Sequence, residues 1–197
     1  MPINENITLS KNNVLLESLS QYLEEPLSQI AQDQALWEFQ HQDLFNQEIF
    51  KEKWFKKALR QKEEGKRIPF SIYVDSELVG STSYYNFDLD NRSVNIGYTW
   101  TIQKFWGSPL NATIKFLLLK QAFENWNLMR VSFFVDQENI RSCNAMKKLG
   151  ATQEGILRQH MIRPDGTIRN SVIFSIIDGE WPAIKKDLLT RIGTENL

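Results

Sequence analysis

The sequence predicts an α/β fold: one mixed β-sheet with helices on both faces, built as a single domain over residues 1–197. Three observations predict it. Residues 93–149 read strand, helix, strand, helix, an order that parallel strands with crossovers produce. On either side, 69–88 and 154–177 read as hairpins, which pair antiparallel. No linker, repeat or low-complexity tract divides the chain between them.

The elements follow in order. Residues 7–19 predict a short opening strand with a turn at Asn12–Asn13. Residues 25–36 predict a helix with a poor apolar pattern. Residues 47–64 predict a better one, because Phe50, Trp54 and Ala58 lie four apart, Phe55 and Leu59 widen the stripe, and Gly65 ends it. Residues 69–75 and 78–88 predict a hairpin turning at Ser76–Glu77. Residues 93–102 alternate cleanly, with Val94, Ile96, Tyr98, Trp100 and Ile102 expected on one face. A loop leads to a helix over 111–126 with Asn111 as its N-cap and an inner stripe of Ile114, Leu117, Leu118 and Ala122. A strand over 130–136 precedes a helix over 140–149, with Ile140, Cys143, Met146 and Leu149 on one face and Gly150 closing it. Strands at 154–163 and 168–177 flank Pro164-Asp165-Gly166, a turn signal in which Pro presets φ and Gly accepts a positive one. A last helix starts near Trp181–Pro182, capped by Asp178 or Gly179.

Composition narrows the function classes. Lys plus Arg number 23 and Asp plus Glu 24, a formal charge of −1. Binding by counterion release needs many clustered cations, so a nucleic-acid partner is not expected; a local site for a phosphate-bearing ligand is compatible. Aromatics reach 12%, with six Trp and twelve Phe, enough to fill a sizeable core. One cysteine excludes an intramolecular disulfide and a Cys-rich zinc site, and no metal is expected. The opening MPINENITLS has no basic or apolar leader region, and the longest clearly apolar helical run, 116–119, is far too short to cross a membrane. The expectation is a cytoplasmic protein without a membrane partner.

The chemistry concentrates in two loops. The segment from Lys104 to Asn111 joins a strand end to a helix N-terminus, which presents backbone N–H groups and a positive dipole end to phosphate oxygens. Gly107 allows close approach and Lys104 adds a cation. The dinucleotide and P-loop fingerprints are both absent. The second loop, from Asp136, opens the next helix with a polar cluster around Asn139, Arg141 and Ser142.

Together these fragments resemble a known family. IGYTW at 96–100, the helix start at 111–115, Asn139-x-Arg141-Ser142, KLGA at 148–151, EGILR at 154–158 and EWP at 180–182 are similar to the GNAT (GCN5-related) N-acetyltransferases, in particular the RimJ/RimL-type branch. The resemblance runs from about residue 13 to 190. It implies an acyl-CoA N-acyltransferase fold: a mostly antiparallel sheet splayed at two parallel strands, here 93–102 and 130–136, that hold acetyl-CoA. Backbone groups at Trp100, Thr101 and Ile102 would meet the pantetheine arm and the thioester carbonyl. Lys104, Gly107, Ser108, Leu110 and Asn111 would hold the pyrophosphate, and Asn139 the pantetheine.

This sequence departs from the family pattern at three places. Pro109 replaces a small residue and removes an N–H donor. Met146 stands where many members carry a Tyr that protonates the leaving thiolate, so Ser142, which also borders the cofactor, is the expected proton donor; its other reading is a cap of the helix start. Met161 stands where the branch has a Glu proposed as base, which leaves neighbouring His160 as the base or as a hydrogen-bonded structural histidine. Cys143 reads as a buried small hydrophobe. Trp37, Phe39 and His41, with Tyr84, Tyr85 and Phe87, are candidates for the acceptor cleft or for core, and Arg169-Asn170-Ser171 for its polar edge. The expected activity is transfer of an acetyl group from acetyl-CoA to a primary amine, a protein N-terminus or a small molecule, by direct attack. The alternatives are a CoA-binding sensor that has lost catalysis and an unrelated peptide-binding scaffold. The expected partners are acetyl-CoA and the amine acceptor, and similar proteins commonly form homodimers.

Overall fold

The computed structural model of the chain describes residues 7–39, 44–163 and 165–193. His41 and Pro164 fall outside them. Eight strands form one sheet in the order β1-β2-β3-β4-β5-β6-β8-β7. They are β1 (Thr8–Lys11), β2 (Val14–Ser18), β3 (Arg67–Val74), β4 (Glu77–Asp88), β5 (Ser93–Thr101), β6 (Arg130–Asp136), β7 (Thr152–Ile162) and β8 (Ile168–Ile177). Every neighbouring pair is antiparallel except β5 and β6. The helices are α1 (Glu24–Ile30), α2 (Gln47–Ile49), α3 (Lys56–Glu63), α4 (Leu110–Lys120), α5 (Ile140–Leu149) and α6 (Trp181–Ile192). This is the expected mixed sheet with helices on both faces.

Two buried clusters lie on the two faces. The larger packs α4, α5 and α6 on one face through residues such as Ile68, Phe70, Val94, Ile96, Ile114, Leu118, Phe174 and Leu188. The smaller holds α1 to α3 on the other, with Leu27, Trp37, Phe50, Trp54, Phe55 and Trp100. Several expectations shift locally. The opening strand is a hairpin that turns at Asn12–Asn13. The 25–36 helix shrinks to α1, with a 3-10 turn at Gln34–Leu36. The 47–64 helix runs α2, a π-turn at Phe50–Phe55, then α3. Its extra residue per turn lets both Trp54 and Phe55 reach the core, where each is at most 5% exposed. The β3–β4 turn falls at Asp75–Ser76, one residue early, because both take positive φ (49° and 68°), as a two-residue hairpin turn requires.

The largest departure is in β5. Its register with β4 pairs Gly97 with Ser83 and Trp100 with Ser81, so Tyr98 and Thr99 together face Thr82. Tyr98 takes φ 52° at this bulge. An extra residue inverts a period-2 pattern. Val94 and Ile96 therefore face α4, while Trp100 faces the opposite cluster and Tyr98 is 36% exposed. The expected single face for all five residues is thus overturned. Ile140 is likewise 63% exposed, one turn beyond the core that Cys143, Met146 and Leu149 join. None of the described helices is long and apolar enough to cross a membrane.

Candidate acyl-CoA site

The site follows from where β5 and β6 stop pairing. Their ladder contains only Ser93–Arg130, Val94–Val131 and Asn95–Ser132. Beyond Asn95 the strands part, and the β6-side edge of β5 has no ladder partner through the bulge to Thr101. Gly80 holds this segment from the other side: a Cβ there would lie 2.1 Å from the Trp100 carbonyl oxygen, so only glycine lets β4 approach so closely.

From the end of β5 the chain makes a 3-10 turn at Gln103–Phe105 and reaches α4. Asn111 is not the N-cap; Pro109 is, and Asn111 is the second helical residue. Ser108 Oγ donates to the Phe105 carbonyl (2.7 Å) and accepts from the Leu110 N–H (3.3 Å), which shapes the turn. Gly107 takes φ 76° with open space where a Cβ would be. Among the described residues the backbone N–H groups of Gly107, Asn111 and Ala112 have no partner. Free donors, open space and a helix N-terminus suit an anionic oxygen cluster, and these donors are present although Pro109 itself has no N–H to offer. Lys104 is engaged elsewhere, with Nζ 2.6 Å from Glu77 Oε2.

Across the splay, Asn139 Oδ1 accepts the Ser142 N–H (2.9 Å) and caps α5. That leaves the Asn139 side-chain N–H donors available. The Ser142 hydroxyl is not the cap; it is half-buried and unpartnered among the described residues. The mouth is bridged by Arg141, whose guanidinium lies 3.6 Å above the Trp106 ring. Trp106 in turn donates its indole N–H to the Thr101 carbonyl (2.8 Å). One stack thus ties the α5 start to the end of β5.

Sequence reasoning missed two buried cations here. Lys115, on α4, is 4% exposed and reaches Thr99 Oγ1 (3.2 Å) on β5 with the Phe133 ring of β6 at 5.8 Å. No carboxylate pairs with it among the described residues, and burial pulls its ammonium down to about 8. Its one sequence signal is a lysine inside an otherwise apolar stripe. Arg67, at the start of β3, is 2% exposed and lies face-on to Tyr98 at 3.9 Å.

The face opposite α4 carries the other candidates. His160 is exposed; a β7 bulge with Gln159 at φ 51° sets its Nδ1 2.9 Å from Ser171 Oγ and its ring beside Phe134. Arg169 Nε donates to the same Ser171 oxygen (2.9 Å). Asp136, 3% exposed, accepts from Arg163 Nε and Nη2 and from the Glu138 N–H, each at 3.0 Å, with Arg169 3.9 Å away. Burial alone would raise its carboxyl, but the bonds from Arg163 and Glu138 and the two guanidinium charges outweigh that and hold it below the ordinary value. Tyr85 is half-buried on this face, edge-on to Tyr98 at 5.1 Å, and burial pushes its phenol up to about 12. Phe39 is half-buried beside the segment outside the described residues.

Three acceptor candidates do not line this open face, and one of them, Phe87, is half-buried on the α4 side against Tyr84 and Trp126. Tyr84 points the other way, fully buried, and donates its hydroxyl to the Leu118 carbonyl, because strand alternation sends neighbours to opposite faces. Trp37 is 5% exposed beneath Trp100 and Phe50, with its indole N–H bonded to the Ala31 carbonyl (2.6 Å), so it is core. Cys143 is buried, which raises its thiol, as a small hydrophobe would be. Among the described residues no group of three His, Cys, Asp or Glu could hold a metal ion.

This geometry can be set beside known proteins. The family model of the acetyltransferase (GNAT) domain matches residues 13–152. The uncharacterized N-acetyltransferase YoaA of Bacillus subtilis (strain 168) is 27% identical over 120 residues, 61% of this chain and 67% of that protein. A solved T. thermophilus protein, provisionally named an acetyltransferase, is 30% identical with a TM-score of 0.84, over 94% of this chain and 97% of its own. RimJ of Mycobacterium smegmatis, solved with CoA-disulfide, shares the fold with a TM-score of 0.77 at 20% identity, over 94% of this chain and 93% of its own. The splayed strands and the matched domain lead to one conclusion: the chain belongs to the GNAT family of acetyltransferases.

Proposed function

We propose that the protein transfers the acetyl group of acetyl-CoA to a primary amine by direct attack within a ternary complex. The observation that carries this reading is the parting of β5 and β6 after Asn95 beside the open N-terminus of α4. The N–H groups of Gly107, Asn111 and Ala112 would hold the pyrophosphate, with Ser108 and Leu110 shaping the turn. Lys104 would reach it only by leaving Glu77. The Asn139 amide would donate to the pantetheine arm. Bound acetyl-CoA supplies a thioester whose carbonyl oxygen gains charge as the amine adds. The Ile102 N–H is taken by the Val79 carbonyl (2.9 Å), so the Thr101 N–H, on the edge away from β4, would stabilise that charge. Ser142 Oγ would give a proton to the departing thiolate, and His160, oriented by Ser171, would take one from the amine directly or through water.

A second reading is a CoA-binding sensor without turnover. Met146, 6% exposed, and Met161 favour it, since neither side chain transfers protons. A screen for CoA release across amines and N-terminal peptides decides between them. Release with at least one amine supports transfer, and CoA binding without release from any amine supports the sensor.

A further inference from the structure

Arg67 is a full positive charge in the protein interior, and burial lowers its guanidinium only to about 10. Such a charge is costly unless an anion or good hydrogen bonds offset it. Its Nε donates to Ser83 Oγ (2.8 Å). Its Nη2 is buried with no partner. No carboxylate pairs with it among the described residues; the aromatic faces of Tyr98 (3.9 Å) and Trp54 (5.2 Å) take that place.

A second unmet donor borders the same Trp54 ring. The indole N–H of Trp100 is buried and unpartnered, and Trp54 touches that ring at 5.9 Å. These are the only two buried side-chain nitrogens without a partner among the described residues. Both meet Trp54, and they flank the β5 bulge where the acceptor would approach the thioester. Tyr98, the ring covering Arg67, is 36% exposed, so one ring separates this charge from solvent.

We infer that Arg67 Nη2 and the Trp100 indole N–H form an anion subsite of the acceptor cleft, that Tyr98 is its movable cover, and that the acceptor amine carries a carboxylate. A carboxylate matches one planar guanidinium and one further donor, whereas a doubly charged phosphate would leave a charge unmet among aromatic rings. The inference rests on the acetyl-transfer reading.

The test uses acceptor pairs that differ only in carboxylate against carboxamide: glycine and glycinamide, and Asp-Ala-Ala and Asn-Ala-Ala peptides. CoA release and calorimetric binding to the CoA-saturated protein are measured for each. The carboxylate members are expected to be favoured by about tenfold or more in kcat/KM, as a charge-assisted bond predicts. Arg67→Gln should erase that preference and leave the KM for acetyl-CoA within about twofold. Trp100→Phe, which removes only the N–H and keeps most of the ring, should reduce the preference by about threefold to tenfold. Equal use of both members by the wild type, or a preference that survives Arg67→Gln, overturns the subsite. The wild-type comparison decides alone if the variants fail to fold. If no amine releases CoA, the transfer reading falls, and calorimetry still judges the subsite: selective carboxylate binding supports it and unselective or absent binding overturns it.

Discussion

Replacing Lys115 with methionine should make the protein more stable at neutral pH and remove a pH dependence. Lys115 is 4% exposed, has one hydrogen bond, to Thr99, and has no carboxylate partner among the described residues. Burial lowers its ammonium from 10.5 to about 8. Between these values the unfolded chain keeps a proton that the folded chain has lost, so stability rises with pH across the window. Below about pH 8 the folded state carries the whole cost of holding the charge, about 3 kcal/mol for a shift of this size. Lys115→Met removes that cost and loses about 1 kcal/mol with the Thr99 bond, a net gain of about 2 kcal/mol near pH 7. By about pH 9.5 the wild type has recovered most of the difference, so the gap between the two proteins shrinks by about 2 kcal/mol. Urea unfolding at both pH values, followed by tryptophan fluorescence, measures the gap, and titrations common to both proteins cancel. A gap independent of pH would refute the reasoning.

Other perturbations probe the rest of the site. Gly80→Ala drives a Cβ to 2.1 Å from the Trp100 carbonyl and should lower stability by about 1–3 kcal/mol while weakening CoA binding; an unchanged melting temperature would contradict this. Asp136→Asn strips the anion from between Arg163 and Arg169 and should cost about 3 kcal/mol, checked by denaturant unfolding. Because the Asp136 carboxyl is held low, its contribution is present above its ordinary value of 3.8 and disappears as pH falls through the folded value, a loss that Asp136→Asn should not show. Ser142→Ala and His160→Ala should each lower kcat by about a hundredfold or more with CoA affinity unchanged, and unchanged turnover in either removes that residue from the mechanism.

The frame of the fold was legible where the signal is local. α5 and β6 fall where their apolar spacing places them, and Gly150, at φ 87°, closes α5 as a left-handed cap. The site was less legible because its geometry depends on departures from period. One extra residue at Tyr98 turns Trp100 to the opposite face, and nothing in the clean alternation of 93–102 reveals it. Tyr84 and Tyr85 are adjacent aromatics in the sequence, yet pairing with β3 and β5 sends one to the core and the other to the open face. Arg67 looks like an ordinary surface charge and Lys115 is marked only by its apolar neighbours, because burial of a cation is decided by distant elements: Thr99 and Phe133 for Lys115, Tyr98 and Trp54 for Arg67.

Calorimetric titration of the protein with CoA tests the central claim most directly. The parting of β5 and β6 and the free N–H groups at the start of α4 predict one CoA per chain, with a dissociation constant between about 1 μM and 1 mM. Absence of binding at millimolar CoA would contradict the account.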